Sequence, residues 1–513
     1  MSKETFITSI TEGYTFKGES IDLGVAKYDD VAMTGTFVKA PLRTFNRHGL
    51  IAGATGTGKT KTLQMLAENL AGKGVSVLMM DIKGDLSGVA MPGTANPKVE
   101  ERQKLIGLPI QFKGNTTEFL TISKQAGTKM RATVSEFGPV LFSKILDLND
   151  TQESVVAMIF KYCDDSAYPL LDLKDFKAIL NFITNEGKEA ISKEYGAIST
   201  SSVGTILRKV IELEQQGAEM FFGERSFEVQ DLVRIDEQGN GILSIMRLVD
   251  IQDKPKLFST FMLCLLAEIY ASFPERGDVD KPELVIFIDE AHLIFNEASK
   301  ALLNQIETII KLIRSKGIGI FFITQNPTDI PESVLGQCGM KIQHALRAFT
   351  ANDQKAIRMA AANFPVTEHF DIEKTLISMG IGEALVTVLS ERGTPTPLAV
   401  TMMRAPMSRM DVLTDDELKD IVSNSKIARK YNEVIDRESA YEMLKKKVEE
   451  AKEEVVDVKA KAKEEEKQEG GILDTVGNMV NSSVGKVVMR EVTRGLLGVL
   501  GLGGTTRRKK SLF

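Results

Sequence analysis

The stretch Gly53-Ala54-Thr55-Gly56-Thr57-Gly58-Lys59-Thr60-Lys61 holds the residue types that phosphate binding needs, at the spacing G-x-x-x-x-G-K-[ST]. Glycines let the backbone curl until successive N–H groups point at one anion. A helix starting here would present its positive dipole end to the same anion. Lys59 is then placed to reach the β- and γ-phosphates of ATP, and the Thr60 hydroxyl to take one site on Mg²⁺. Residues 53–61 are therefore the expected nucleotide-binding loop.

Hydrolysis needs more than a cradle. Leu284-Val285-Ile286-Phe287-Ile288 is an apolar run that ends in Asp289 and Glu290. Asp289 suits Mg²⁺, and Glu290 suits orienting and polarising the attacking water. A second apolar run, Ile318 to Thr324, ends in Gln325, an amide able to bond both a γ-phosphate and a water and so to sense the nucleotide state. A third, Val75 to Met80, ends in Asp81. Arg314 and Arg347 flank this part of the chain, and either could offer a guanidinium to a neighbouring subunit's site.

These groups need a scaffold that brings strand ends together. Short apolar runs ending in polar residues, alternating with helical periodicity, predict an α/β fold with a mostly parallel sheet and ligands at the strands' carboxyl ends. Leu63, Leu66, Ala67 and Leu70 repeat at helical spacing behind the glycine loop. The expected organisation is a short β-rich segment over 1–46, a core over 47–95 and 241–405, a largely helical insertion over 96–240, and a charged helical tail over 406–513. Within the tail, 438–469 is a Lys/Glu-rich run expected to be a solvated helix. Residues 487–510 combine apolar positions with a basic end, which suits a docking helix for a partner, a membrane-surface helix or a nucleic-acid tail.

Composition narrows the class. The 513 residues are 43% hydrophobic, enough for a large core, and the net charge of −6 argues against a uniformly basic nucleic-acid coat. Cys163, Cys264 and Cys338 lack CxxC spacing, and the four histidines are scattered, so neither a disulfide framework nor a zinc ribbon is suggested. No run approaches the roughly 20 apolar residues of a membrane span, and the N-terminus does not read as a signal peptide. A cytoplasmic location is expected.

The motifs taken together resemble the HerA/FtsK superfamily of P-loop ATPases, and more closely its bacterial HerA-like helicase C-terminal-domain family. The matching stretches are RHGLIAGATGTGKT (47–60), DIKGDLSG (81–88), MRATVSEFGP (130–139), LVIFIDEAHLIF (284–295), FFITQNPTDIP (321–331), LGQCGMKIQHALR (335–347) and GIGEALVTVL (380–389). The resemblance implies a RecA-like P-loop core, assembly into a homo-hexameric ring, and ATP-driven translocation, usually on double-stranded DNA. It implies the roles above for Lys59, Thr60, Asp289, Glu290 and Gln325, and it places Arg347 ahead of Arg314 as the arginine acting in trans. Fewer than about fifty residues precede the P-loop, so the β-barrel that HerA carries there is expected to be reduced or absent. An ATP-regulated assembly or signalling protein, and a peripheral membrane ATPase, stand as alternatives. Asp289-Glu290-Ala291-His292 spells DEAH, but the other superfamily-2 helicase motifs are missing, as is an ABC-type signature.

Overall fold

The computed structural model describes residues 2–450 apart from 278, 297–299, 434, 436 and 437, together with residue 453. Most of the Lys/Glu-rich run and all of the basic C-terminal stretch lie outside the described residues. The chain divides into two compact units, one of residues 1–131 with 225–433, the other of residues 132–224 with those after 433.

The first unit is built on one twelve-stranded sheet. Its strands are β1 (Ser20–Tyr28), β2 (Val31–Pro41), β3 (Gly49–Ala52), β4 (Ser76–Asp81), β5 (Thr117–Thr121), β6 (Thr128–Lys129), β7 (Leu243–Arg247), β8 (Leu284–Ile288), β9 (Ile318–Thr324), β10 (Met340–His344), β11 (Glu383–Thr387) and β12 (Ala399–Met403). They lie in the order β2-β1-β12-β11-β10-β3-β9-β8-β4-β7-β5-β6. From β10 to β6 every pairing is parallel, and from β2 to β10 every pairing is antiparallel. Sequence and burial agree with that division. The parallel strands β3, β4, β8 and β9 are buried along their whole length, which their unbroken apolar runs require, whereas the edge strand β2 alternates with exposed positions. Two short strands from within 96–240, β5 and β6, extend the parallel half.

The helix Lys59–Ala71 leaves β3 through the glycine loop. Leu63, Leu66, Ala67 and Leu70 are fully buried in the main core, as their spacing predicts. Its polar face is covered too, by the segment 404–411. Glu68 accepts from the N–H groups of Met407 (2.6 Å) and Ser408 (3.1 Å) and from the Ser408 hydroxyl (2.7 Å). Gln64 donates to Ser408 Oγ and the Arg409 carbonyl, and Lys61 donates to the Met410 carbonyl. A helix buried on both faces must satisfy the second face with hydrogen bonds, and this segment supplies them.

The second unit is mainly helical: Val134–Ile145, Asp150–Ser166, Leu173–Phe182, Lys188–Tyr195 and Thr200–Gln215. Three of the helices begin with reciprocal capping boxes, at Thr133/Glu136, Asn149/Gln152 and Asp172/Asp175. Its core centres on Phe142, whose ring packs against those of Phe160, Phe176 and Phe222.

Candidate active site

Parallel register fixes which strand ends meet. Ala52 of β3 lies opposite Thr324 of β9 and Gln343 of β10, Ile288 of β8 opposite Phe322 of β9, and Met80 of β4 opposite Ile288. The residues that follow, namely the glycine loop, Asp81, Asp289, Glu290, Gln325 and Arg347, therefore leave the sheet along one edge. β9 separates the glycine-loop strand from the Asp289 strand, so Gln325 emerges between them. Its side chain is exposed. Arg347 is also exposed, three residues beyond β10 on the same edge. Arg314 precedes β9 and lies at the other edge, where its charge acts on His48 at the start of β3.

The glycine loop has the backbone that its composition predicts. Gly53 takes φ +151 and Gly58 φ +114. A Cβ on Gly53 would stand 2.6 Å from His344 Cβ, and one on Gly58 would stand 3.2 Å from the backbone of Gly382, so both positions exclude larger residues. Thr55 and Gly56 form the exposed crest, and the Ala54 N–H is held by the Ala345 carbonyl at 2.9 Å. Thr60 stands half-buried in the first turn of the helix. The Lys59 ammonium is buried and donates to the carbonyls of Gly53 (2.6 Å) and Ala54 (3.1 Å) of its own loop. Burial and then the charge of Lys83 lower its pKa, against the pull of Glu290 and Asp289. The Lys61 side chain instead reaches away to Met410.

Across β9 stand the carboxylates. Asp289 is 3% exposed and Glu290 6%. Asp289 Oδ1 accepts the Glu290 N–H at 2.9 Å, while Oδ2 is buried without a hydrogen-bond partner in the protein. Burial pushes the Asp289 pKa up to about 6, with Lys83 opposing and Glu290 adding to the rise. An orphaned, desolvated carboxylate oxygen at this sheet edge is the donor a divalent cation would satisfy. Among the described residues no group of three or more His, Cys, Asp or Glu is arranged to hold a metal alone. Mg²⁺ commonly takes one or two protein oxygens and fills its shell from phosphates and water, so Asp289 with Thr60 fits it. Glu290 takes φ +47, a left-handed conformation costly for a non-glycine residue and often found at functional sites. Lys83 pairs with its Oε1, and His292 Nδ1 lies 3.2 Å from its Oε2.

Asp81, read in the sequence as a candidate site acid, has its oxygens taken by its own turn. It accepts from the N–H groups of Gly84 (2.7 Å), Asp85 (3.2 Å) and Leu86 (3.3 Å). Its work is to shape the turn that carries Lys83. Burial pushes its pKa up to about 7, and Asp85 adds to the rise.

The sequence assigned no role to the other flank of the loop, although His344, Gly382 and Glu383 fall within the matching stretches 335–347 and 380–389. His344 ends β10, fully buried beneath the glycine loop. Its Nδ1 bonds the Glu383 carbonyl at 2.9 Å and its Nε2 the Thr62 hydroxyl at 2.9 Å. A carbonyl can only accept, so Nδ1 carries the proton and Nε2 accepts from Thr62. Burial pushes the pKa down to about 4, against the carbonyl bond and with Lys59 assisting, which keeps the ring neutral. The Gly382 N–H donates to the Thr57 carbonyl at 2.9 Å. Arg102 grips the same turn, donating to the carbonyls of Ile381 (2.8 Å), Gly382 (3.0 Å) and Met403 (3.2 Å). Lys27 of β1 pairs with Glu383 at 2.6 Å. Arg102 and Lys27 carried no local signal, since their partners lie hundreds of residues away in the chain.

The helicase HerA-like C-terminal family matches residues 29–508. The chain belongs to that family. It is a P-loop ATPase of the HerA-like type. The DNA double-strand break repair helicase HerA of Saccharolobus solfataricus is 23% identical over 395 residues, which span 76% of this chain and 71% of the relative. The protein of the same description from Sulfolobus acidocaldarius is 21% identical over 391 residues, spanning 74% and 70%. The fold matches that of the bacterial conjugative coupling protein TrwB with a TM-score of 0.50 at 15% identity, covering 79% of this chain and 94% of that one. The α/β core with its mostly parallel sheet is thus the RecA-like P-loop fold that the sequence predicts. Among the described residues no helix is long and apolar enough to cross a membrane.

Proposed function

We propose that the protein hydrolyses ATP at this edge and couples it to movement along double-stranded DNA as a homo-oligomeric, hexameric ring. The observation that carries the reading is the convergence of the glycine loop, Asp289, Glu290 and Gln325 on one sheet edge in a chain of this family. The relatives described as DNA repair helicases supply the track.

The loop amides of 53–61 and the helix end hold the phosphates, and Lys59 exchanges its two loop carbonyls for β- and γ-phosphate oxygens. Thr60 and Asp289 would hold Mg²⁺, which would supply charge neutralisation at the phosphates. Glu290 orients the attacking water and accepts its proton, and Gln325 orients the water against the γ-phosphate. Arg347, exposed at the same edge, enters the site of the next subunit and offsets charge there. Arg314 is the weaker candidate for that part, because it stands at the opposite edge.

Steady-state ATP turnover with and without duplex DNA at moderate salt tests the coupling. Stimulation by DNA is expected. Turnover that ignores DNA, with no retention of DNA on the protein, overturns the track and leaves an ATP-regulated assembly protein. Mixing Arg347→Ala with Glu290→Gln subunits is expected to restore turnover that neither variant shows alone. No recovery would overturn the trans arginine.

A further inference from the structure

Lys83 has no part in the reading above. It stands two residues beyond β4, in the turn that the Asp81 carboxylate ties together. Gly84 makes the turn possible by taking φ +79. Because β4 lies beside β8, the turn delivers the Lys83 ammonium onto Glu290 Oε1. Glu290 is buried, whereas Lys83 is 38% exposed in its side chain, so the lysine is the partner with room to move.

The pairing bears directly on chemistry. A carboxylate that is to take a proton from water has to be an available acceptor. One whose oxygen is occupied by an ammonium has that oxygen committed to the ion pair instead of to a water. Glu290 in this arrangement is therefore restrained. Lys83 also acts on Lys59, whose pKa its charge lowers, so the two ammonium groups share the region to which the loop directs phosphate. Two neighbouring cations call for an anion between them, and the γ-phosphate of ATP is an anion that ADP does not bring.

We propose that Lys83 is a γ-phosphate-responsive latch on Glu290: it holds the carboxylate until a γ-phosphate draws the ammonium away. This rests on the ATP-hydrolysis reading of the same site. Lys83 is a positioning residue that acts through Glu290, and the chemical step keeps its balance. The water oxygen bonds to the γ-phosphorus, the bond to the β,γ-bridging oxygen breaks, and the water proton passes to Glu290. Lys83 stays protonated throughout.

The test compares nucleotide affinities of the full chain carrying Lys83→Met, Lys83→Arg or Glu290→Gln. The probes are ADP and the non-hydrolysable β,γ-imido analogue of ATP, both with Mg²⁺. Lys83→Met is expected to weaken the analogue about fivefold or more, the size of a typical site-to-site coupling, while ADP stays within about twofold. Retained ADP binding shows that the variant is folded. Lys83→Arg, which keeps the charge, is expected to retain most of the preference for the analogue. Glu290→Gln, which removes the restraint, is expected to tighten the analogue relative to ADP. Equal loss of both nucleotides in Lys83→Met, or a fall in kcat with the affinity ratio unchanged, would reduce Lys83 to a prop and overturn the latch. An unchanged ratio in Glu290→Gln would overturn the competition. If the unsubstituted protein neither binds nor hydrolyses ATP, the reading of the site fails first. If it turns over and Glu290→Gln does not, the affinity ratios bear on the latch alone.

Discussion

The glycine loop is flanked by two kinds of polar structure. Toward β9, β8 and β4, hydrogen-bonding capacity is left in reserve: Asp289 Oδ2 and Asp85 Oδ1 are buried without protein hydrogen-bond partners, and Glu290, ion-paired with Lys83, has no hydrogen-bond partner on either oxygen. Toward β10 and β11 most of that capacity is spent: both nitrogens of His344 are bonded, Arg102 holds three carbonyls and Glu383 is paired with Lys27, which leaves Gln343 Oε1 as the buried oxygen of β10 without a partner. Unsatisfied buried groups are costly and persist where a ligand or a reaction uses them. Fully satisfied ones hold a shape. The first flank is therefore built to react and the second to keep the loop in place.

The contrast predicts that substitutions on the two flanks separate turnover from stability. The largest effect belongs to Glu290→Gln. Losing a general base costs on the order of 10² to 10⁴ in rate, so kcat is expected to fall by at least that while ADP binding and the melting temperature hold. Wild-type turnover in this variant would break the comparison at its reactive side.

Arg102→Ala comes next and should behave oppositely. It strips the donors from three carbonyls, two part-buried and one exposed, and a typical hydrogen bond contributes about 1 kcal/mol net, so a loss of about 1–2 kcal/mol in stability is expected. Denaturant titration reads the loss, with KM for ATP rising and kcat at saturation within a few-fold. Arg102→Lys should rescue little, because a single ammonium cannot match the guanidinium fork. Normal stability with abolished kcat would place Arg102 on the reactive side instead.

Acid should attack the holding flank. His344, and His48 at the far end of β3, are both pushed down to about 4 by burial. A lowered folded pKa means the unfolded chain binds the proton more readily. The histidines' contribution is then complete above about pH 6.5 and drains away as pH falls toward 4, by about 2 kcal/mol each between pH 7 and pH 5. Melting curves across that window check it: His344→Gln should lose less stability on acidification than the unsubstituted protein. An unchanged pH slope would show that the imidazole is not held neutral.

The smallest effect is expected at Lys61. Its ammonium reaches Met410 rather than the loop crest, so Lys61→Ala should alter nucleotide affinity by less than about twofold and cost under about 1 kcal/mol. A large loss of nucleotide affinity would return its side chain to the binding set.

The reactive flank was the legible one, and for a physical reason. A parallel strand buried on both faces must be an apolar run, and its polar end must be the first residue to leave the sheet, so Asp81, Asp289 and Gln325 advertise their edge in a few consecutive letters. The parallel strands β4, β8 and β9 were legible in the same way, whereas β5 and β6 lie within the stretch 96–240 expected to be largely helical. The holding flank depends on partners far apart in the chain, such as Arg102 with Ile381 and Lys27 with Glu383, and no local pattern distinguishes those cations from solvated ones. Asp81 shows the limit of the strand-end rule, since the same position can serve a turn rather than a ligand.

The segment 404–411 sets where the chain can be trimmed. The last strand stops at Met403, which looks like a natural place to end a recombinant ATPase fragment. Cutting there would take away the three donors on Glu68, a buried carboxylate two turns along the helix that begins with Lys59. The smallest piece able to carry a working phosphate loop therefore extends through Met410, past the last strand of the sheet.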